Sequence, residues 1–370
     1  MAFADSYRDK SVLVTGHTGF KGSWLCEWLL NLGAHVTGLA LAPMPDAPLF
    51  DQLGLAPRLQ QEIGDVRDLA TVQKAVALAR PDFIFHLAAQ PLVRLSYEQP
   101  VETYATNFLG TVHVLEAARQ AAAPCTFVSV TTDKCYENKE WLHGYREEDP
   151  LGGHDPYSSS KGAAEIAINA YRRSYFSTGS PPIRLASARA GNVIGGGDWA
   201  ADRIVPDSIR ALEAGRPIPV RNKGATRPWQ HVLEPLSGYL QLGACMANPS
   251  LARRPQLITE AFNFGPELDS NRSVEALVEE ILKSWPGEWT DQSDPHAVHE
   301  ATLLNLAIDK ARHVLGWFPV WDFPTTINRT VSWYRAAQDS PAFDAAHSTR
   351  EQIAAYTRIA ADRRVSWAIH

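Results

Sequence analysis

The amino-acid sequence predicts an α/β fold: a doubly wound parallel sheet followed by a smaller lobe. Three observations predict it. Short apolar runs alternate with segments of helical period through the first half of the chain. A glycine-rich turn lies between the first such run and the first helical segment. Beyond residue 190 the alternation loosens and prolines accumulate. Strands alternating with helices at this spacing indicate βαβ units, whose right-handed crossovers place helices on both faces of the sheet.

Residues 11–15 are an apolar run stopped by Gly16, and residues 19–32 have helical spacing and stop at Gly33. A second strand is predicted at 34–40, and a third ends near Ile63. Residues 65–79 are helical, 82–87 form a strand after Pro81, and 101–120 form a long helix. A fifth strand spans 125–130, a helix 156–175, and a sixth strand 183–190. After Gly191, the run Gly195–Gly197 marks a loop, and Pro217, Pro219, Pro228 and Pro235 punctuate the stretch beyond it. Further helices are predicted near 204–214, 234–247, 273–284, 309–315 and 324–336. The division expected is a dinucleotide-binding part over 1–190 and a smaller α/β substrate-binding lobe over 191–370. The boundary is interleaved, because the chain passes between the two parts several times.

Bulk properties narrow the functional classes. The chain has 370 residues, 45% hydrophobic and 21% charged, which is ample for a large core. A formal net charge of −6 argues against nucleic acid as a partner. Residues 1–10 are polar and carry no apolar stretch of a signal peptide, and no apolar run approaches the ~20 residues of a membrane span. A cytoplasmic protein without a membrane partner is expected. Cys26, Cys125, Cys135 and Cys245 form no CxxC pair, so free thiols in a reducing compartment are expected. His86 and His231 have no companions at metal-ligand spacing, and no metal is assigned.

Gly16-His17-Thr18-Gly19-Phe20-Lys21-Gly22 occupies the first strand–helix junction. Glycines there let the backbone turn tightly and approach a pyrophosphate, while the helix N-terminus offers N–H groups and partial positive charge. The arrangement is Rossmann-like. The end of the second strand, Gly38 to Ala42, has neither the acid that binds a ribose 2′-hydroxyl nor the arginine that binds a 2′-phosphate. NAD and NADP are therefore not separated by this feature. Asp65 and Val66, after the third strand, either reach the adenine or belong to a helix cap at Asp65 or Asp68.

Tyr157 and Lys161 stand four apart at the start of a predicted helix and share a face. A nearby ammonium stabilises phenolate and brings the phenol down from its ordinary ~10. The pair then exchanges a proton with a substrate hydroxyl during hydride transfer. Before it, the fifth strand ends in Thr131-Thr132-Asp133-Lys134, where open α/β sheets place their ligands. Asp133 and Lys134 supply an acid and a base, which a dehydratase needs and a simple dehydrogenase does not. An exposed Asp-Lys pair in a loop is the alternative.

The glycine loop, His86-Leu87-Ala88-Ala89, Thr132-Asp133 and Tyr157/Lys161 together resemble the extended short-chain dehydrogenase/reductase superfamily. Three longer stretches, Gly16 to Trp24, Arg189 to Trp199 and Arg227 to Val232, are similar to the CDP-glucose 4,6-dehydratase family. The resemblance runs from about Lys10 to about Tyr334 and thins beyond. It implies NAD as cofactor, held by Gly16, Thr18, Gly19, Phe20, Gly22, Asp65, Val66, Leu87, Ala88, Ala89, Asn107, Tyr157 and Lys161. It implies CDP-glucose as substrate, contacted by Asn192, Arg203, Arg227 and Trp229. Tyr157 would take the C4 hydroxyl proton, Lys161 would hold the nicotinamide ribose, and Thr132 would orient the C4 oxygen. Lys134, which must be neutral to act, would remove the C5 proton, and Asp133 would protonate the departing C6 hydroxyl. The helices at 101–120 and 156–175 resemble those that pair across a dimer in this superfamily, implying a homodimer or homotetramer; the alternative is that their apolar faces pack on the sheet. Trp199 and Trp229 either line the nucleotide pocket or pack in the core. Two other readings remain: a dehydratase or C4-epimerase of another nucleotide-sugar, and a non-catalytic dinucleotide sensor.

Overall fold

The structure, a computed structural model, describes residues 2–46, 48–177, 183–293 and 303–369. Seven strands form one parallel sheet: β1 (Ser11–Thr15), β2 (His35–Ala40), β3 (Gln60–Ile63), β4 (Phe83–His86), β5 (Cys125–Val130), β6 (Ile183–Arg189) and β7 (Ala261–Asn263). Their order is β7-β6-β5-β4-β1-β2-β3, and every pair runs parallel. The order reverses between β1 and β4, where Thr15 lies beside His86.

Alternation along each strand explains why both faces are covered. Val12 and Val14 of β1, Phe83 and Phe85 of β4 and Val128 of β5 point to one face. There they meet Trp24, Leu25 and Trp28 of α1 (Phe20–Asn31). Leu13, Ile84 and Phe127 point to the other face. They meet Val72 and Val76 of α2 (Leu69–Ala79), Val114 and Leu115 of α3 (Gly110–Ala121), and Ile168 of α4 (Pro156–Tyr171). Strands buried on both faces read as unbroken apolar runs, which is how they are visible in the sequence.

Three features differ from the sequence-based expectation. The helix expected at 101–120 is broken: Pro100–Tyr104, then a π-helical turn at Ala105–Leu109, then α3. The helix expected at 156–175 likewise ends α4 at Tyr171 and continues as a π-helical turn over Arg172–Phe176. The π turn inserts one residue and re-aims its side chains without disturbing apolar spacing on either side. Third, β7 is only three residues long and lacks any detectable period.

The sheet draws on both sides of residue 190. β7 comes from beyond it, as does α5 (Leu233–Ala247), which brings Leu236, Tyr239 and Leu240 to the same apolar cluster as β5 and β6. At the far end, α6 (Phe323–Asp339) is followed by α7 (Ala345–Asp362), which returns to α1. There Trp28 meets Tyr356 and Trp367 edge-on, each at 6.0 Å, and Phe3 stacks on Trp367 at 4.9 Å. Buried Glu27 of α1 pairs with Arg58 and Arg350. The two chain ends are thus joined away from the carboxyl edge of the sheet.

Candidate active site

Open α/β sheets bind ligands in the crevice outside the carboxyl ends of their strands, where strand order reverses. Here that position holds a cleft of about 1470 Å³, lined from Gly16 at one end to Arg227 and Trp229 at the other. Single-ligand pockets run to ~1,000 Å³, so the cleft has room for two sizeable molecules.

The glycine loop forms one wall. Gly16 has φ +77°, and a Cβ there would sit 2.8 Å from the Ala88 amide nitrogen. A Cβ at Gly22 would sit 2.0 Å from the Gly16 carbonyl oxygen. At Gly19 the closest neighbour of a Cβ is 3.4 Å away, so this residue opens onto the cleft. Gly19 also caps α1 without any side-chain bond to the helix N–H groups. Beneath the loop, Thr15 Oγ1 accepts from the Leu87 and Ala88 amides at 3.2 Å and bonds His86 Nδ1 at 2.7 Å. His86 Nε2 bonds Thr111 Oγ1 at 3.0 Å, and that hydroxyl donates to the Asn107 carbonyl at 2.7 Å. The partners set a neutral imidazole with its proton on Nε2. Burial and the nearby Lys161 push His86 down to about 3, in keeping with that form. A cradle this free of side-chain atoms fits a dinucleotide.

Past the end of β2, Leu41 and Ala42 line the cleft where a ribose-binding acid would stand, and Asp46 and Asp65 also line it. Asp65 accepts from the Arg67 amide and Nε, both at 2.8 Å. The helix cap is Asp68, whose carboxylate accepts from the Ala70 amide. Asp65 and Val66 both face the cleft. Asn107 does not. It is fully buried in the π turn, accepting from the Gln90 amide at 2.8 Å and donating to Ser160 Oγ at 3.0 Å. It braces the residue before Lys161 rather than lining the cleft, because the π turn rotates it inward.

The second wall carries the residues that the sequence singles out for the chemistry. Asp155 caps α4 by accepting from the Ser158 amide, and Pro156 takes the first helical position, so Tyr157 and Lys161 start the helix facing the cleft. Thr132, Asp133 and Lys134 turn off the end of β5 beside them. Thr132 Oγ1 donates to Asp133 Oδ1 at 2.9 Å, and Lys134 Nζ lies 3.8 Å from the same oxygen. Asn192 Nδ2 donates to Asp133 Oδ2 at 3.2 Å. Asn192 holds φ +51°, a left-handed conformation that side chains adopt at a cost and that concentrates at working sites. Gly191 is required beside it, since a Cβ would lie 2.0 Å from the Asp133 carboxylate.

Burial governs the ionisation of the pair. It pushes Tyr157 up to about 12, with the neighbouring Thr132 hydroxyl opposing it. The same effect pushes Lys161 down to about 8, against the favourable Glu165 charge. The sequence-based expectation that Lys161 lowers the phenol is therefore not met in the protein alone: loss of water outweighs it, and the cation acting on Tyr157 is Arg203.

Toward the other end, Arg203 pairs with Asp198 at 2.8 Å and lines the cleft with Arg227. Trp229 does both things weighed for it: it is buried in the core and lines the cleft, its Nε1 donating to the Arg272 carbonyl at 3.0 Å. Trp199 also lines the cleft, and its Nε1 has no partner among the described residues. Sequence reasoning missed Lys21. Its Nζ reaches the Tyr239 hydroxyl at 3.4 Å and lines the cleft, and burial, then Arg203 and Lys161, push it down to about 7. A lysine between two loop glycines was the available signal. Among the described residues, no group of three or more His, Cys, Asp or Glu side chains is placed to hold a metal ion.

Fold and site together define an enzyme of the short-chain dehydrogenase/reductase type. Within that class, the chain belongs to the GDP-mannose 4,6-dehydratase family, whose model matches residues 13–330. It is 46% identical over 335 residues to a CDP-glucose 4,6-dehydratase of Salmonella typhimurium, spanning 89% of this chain and 92% of that one. The fold is similar to a dTDP-glucose 4,6-dehydratase from Streptomyces venezuelae solved with NAD (TM-score 0.75, 25% identity, 89% and 98% covered). It is also similar to a UDP-glucose 4-epimerase from Thermus thermophilus in complex with NAD (TM-score 0.74, 24% identity, 88% and 99% covered).

Proposed function

We propose that the protein converts CDP-D-glucose to CDP-4-keto-6-deoxy-D-glucose and water. The observation that carries this reading is the Thr132–Asp133–Lys134 turn beside Tyr157: an acid and a second base share a cleft with the tyrosine–lysine pair. The 46% identity to a CDP-glucose 4,6-dehydratase supports the choice of nucleotide. NAD, when bound, accepts the hydride from C4 and returns it to C6. Gly16, Thr18, Gly19, Phe20, Gly22, Asp65, Val66, Leu87, Ala88 and Ala89 would hold it, with Lys161 on the nicotinamide ribose.

The chain's own groups move the protons. Tyr157 takes the C4 hydroxyl proton as its phenolate, a form that the positive charge of a bound nicotinamide would favour against the burial that holds the phenol up, while Thr132 orients that oxygen. The resulting ketone acidifies C5, and Lys134, in its neutral form, takes the C5 proton. Asp133 gives a proton to the C6 oxygen, which leaves as water. With the hydride at C6, Lys134 returns its proton to C5. Tyr157 is then left with one proton too many and Asp133 with one too few. A proton passed from Tyr157 to Asp133, through Thr132 or through solvent, resets the site; Thr132 Oγ1 already donates to Asp133 Oδ1 at 2.9 Å. Arg203 and Arg227 suit a diphosphate, and Asn192 and Trp229 complete the substrate side.

A homodimer, or a homotetramer built from it, is supported by the apolar residues left exposed on adjoining helices: Val101, Leu109 and Ile166. Cytoplasmic residence is supported by four cysteines that are all free. Incubation with CDP-glucose and NAD, followed by product mass, tests the reading. Loss of one water without net NADH is expected. An unchanged mass would overturn it in favour of another nucleotide-sugar or of epimerisation.

A further inference from the structure

One turn beyond Lys161 on α4 lies Glu165, a buried carboxylate to which the proposed reaction gives no part. Its Oε1 accepts from Thr131 Oγ1 at 2.5 Å. Its Oε2 accepts from Ser187 Oγ at 2.8 Å and Arg189 Nη2 at 2.9 Å. The second guanidinium nitrogen of Arg189 continues to the Tyr136 hydroxyl at 2.7 Å, and that hydroxyl donates to Asn263 Oδ1 of β7 at 2.7 Å. Each bonded neighbour leads directly to a working group. Thr131 precedes Thr132, Asp133 and Lys134. Ser187 and Arg189 belong to β6, whose next residues are Ala190, Gly191 and Asn192.

We propose that Glu165 is a positioning residue for the dehydration, fixing the helix that carries Tyr157 and Lys161 against the strand ends that carry Thr132, Asp133 and Asn192; this rests on the dehydratase reading of those groups. The tolerance it maintains is small. A single Cβ at Gly191 would meet the Asp133 carboxylate at 2.0 Å, so β5 and β6 have no slack between their ends. Glu165 also acts by charge. Burial brings Lys161 down to about 8, and Glu165 is the foremost group opposing it, with Cys135 adding less. His86 and Lys21 face Lys161 from β4 and α1, and each is pushed down by it. Burial works to raise Glu165 itself, but Arg189, Thr131 and Ser187 outweigh it and keep the carboxyl below its ordinary range.

Glu165→Gln keeps the size and removes the charge. Its kcat is expected to fall about tenfold, with KM for CDP-glucose within about twofold. Without the negative charge the neutral form of Lys161 is favoured, so the alkaline limb of the kcat–pH profile moves to lower pH. Combined with Lys161→Met, the same change is expected to cost less than it does in wild type, because the charge it acts on is gone while its bonded neighbours Thr131, Ser187 and Arg189 remain. Thr131→Val, which removes only the bond to Oε1, is expected to lower kcat and leave the limb in place. An unmoved limb with equal loss in both backgrounds would make Glu165 merely structural and overturn the proposal. Should Glu165→Gln fail to fold, an unchanged kcat in Thr131→Val overturns it. Wild-type protein that leaves CDP-glucose intact would sink the functional reading instead. Glu165 is then judged by the pH dependence of NAD binding, read by tryptophan fluorescence in wild type and Glu165→Gln; coincident curves overturn the proposal.

Discussion

A Cβ at Gly22 would collide with the Gly16 carbonyl oxygen at 2.0 Å, and a Cβ at Gly191 would collide with the Asp133 carboxylate at the same distance. The two collisions lie on opposite walls of one cleft and mean different things. On the glycine-loop wall, backbone meets backbone, and the wall works by leaving atoms out. Its polar connections, from Thr15 through His86 to Thr111, are all neutral. On the reactive wall, backbone meets a carboxyl side chain, and placement depends on Asn192 holding Asp133 and on Arg189 holding Glu165. A wall of shape tolerates changes of charge, whereas a wall of charge is sensitive to them.

The largest effect expected belongs to the reactive wall. Tyr157→Phe removes the proton acceptor for the C4 hydroxyl and is expected to cut turnover about 10³-fold, while NAD stays bound. Product formation and bound-cofactor content measure the two halves. Near-normal turnover would remove Tyr157 from the mechanism. Next is Gly191→Ala. It displaces Asp133 and is expected to slow water loss about 10²-fold while C4 oxidation continues, so NADH absorbance should build up with CDP-glucose. A variant that loses both steps equally would show that Gly191 supports the fold rather than the acid.

The same contrast explains what the sequence revealed. Shape on the glycine-loop wall is local: Gly16, Gly19 and Gly22 lie within seven residues, and their spacing is legible. Tyr157 and Lys161 are legible for the same reason, being four apart on one helix. The charge network is not local. Glu165 meets Arg189 across 24 residues, and Asn192 meets Asp133 across 59, distances over which spacing carries no signal. Asn107 went astray because a π turn, invisible to apolar periodicity, points it inward. β7 is too short to show a period, and α7 joins α1 through contacts such as Trp28–Tyr356 that only the fold creates.

The glycine wall can be tested on its own. Gly22→Ala forces the Gly16 carbonyl to move, an overpacking that costs about 1–3 kcal/mol. NAD affinity is expected to fall about tenfold or more, measured by fluorescence titration. In enzyme saturated with NAD, turnover should recover to near the wild-type level, because the reactive wall is untouched. Turnover that stays low at saturation would mean the two walls are coupled and the contrast fails.

The smallest effect expected is where a charge pair does stand on the cofactor side. Arg67 pairs with Asp65 at 2.7 Å, but the Arg67 side chain is 45% exposed and that of Asp65 25%. Exposed pairs are worth about 0–1 kcal/mol, and the Arg67 amide would still hold Asp65 Oδ1 after the side chain is removed. Arg67→Ala is therefore expected to change NAD affinity by less than about fivefold, with the residual effect fading as salt rises because the pair faces water. A loss of a hundredfold that salt does not weaken would place a desolvated charge at the adenosine end. Electrostatic placement would then extend around both walls, and Glu165 would belong to a network that encloses the whole cleft.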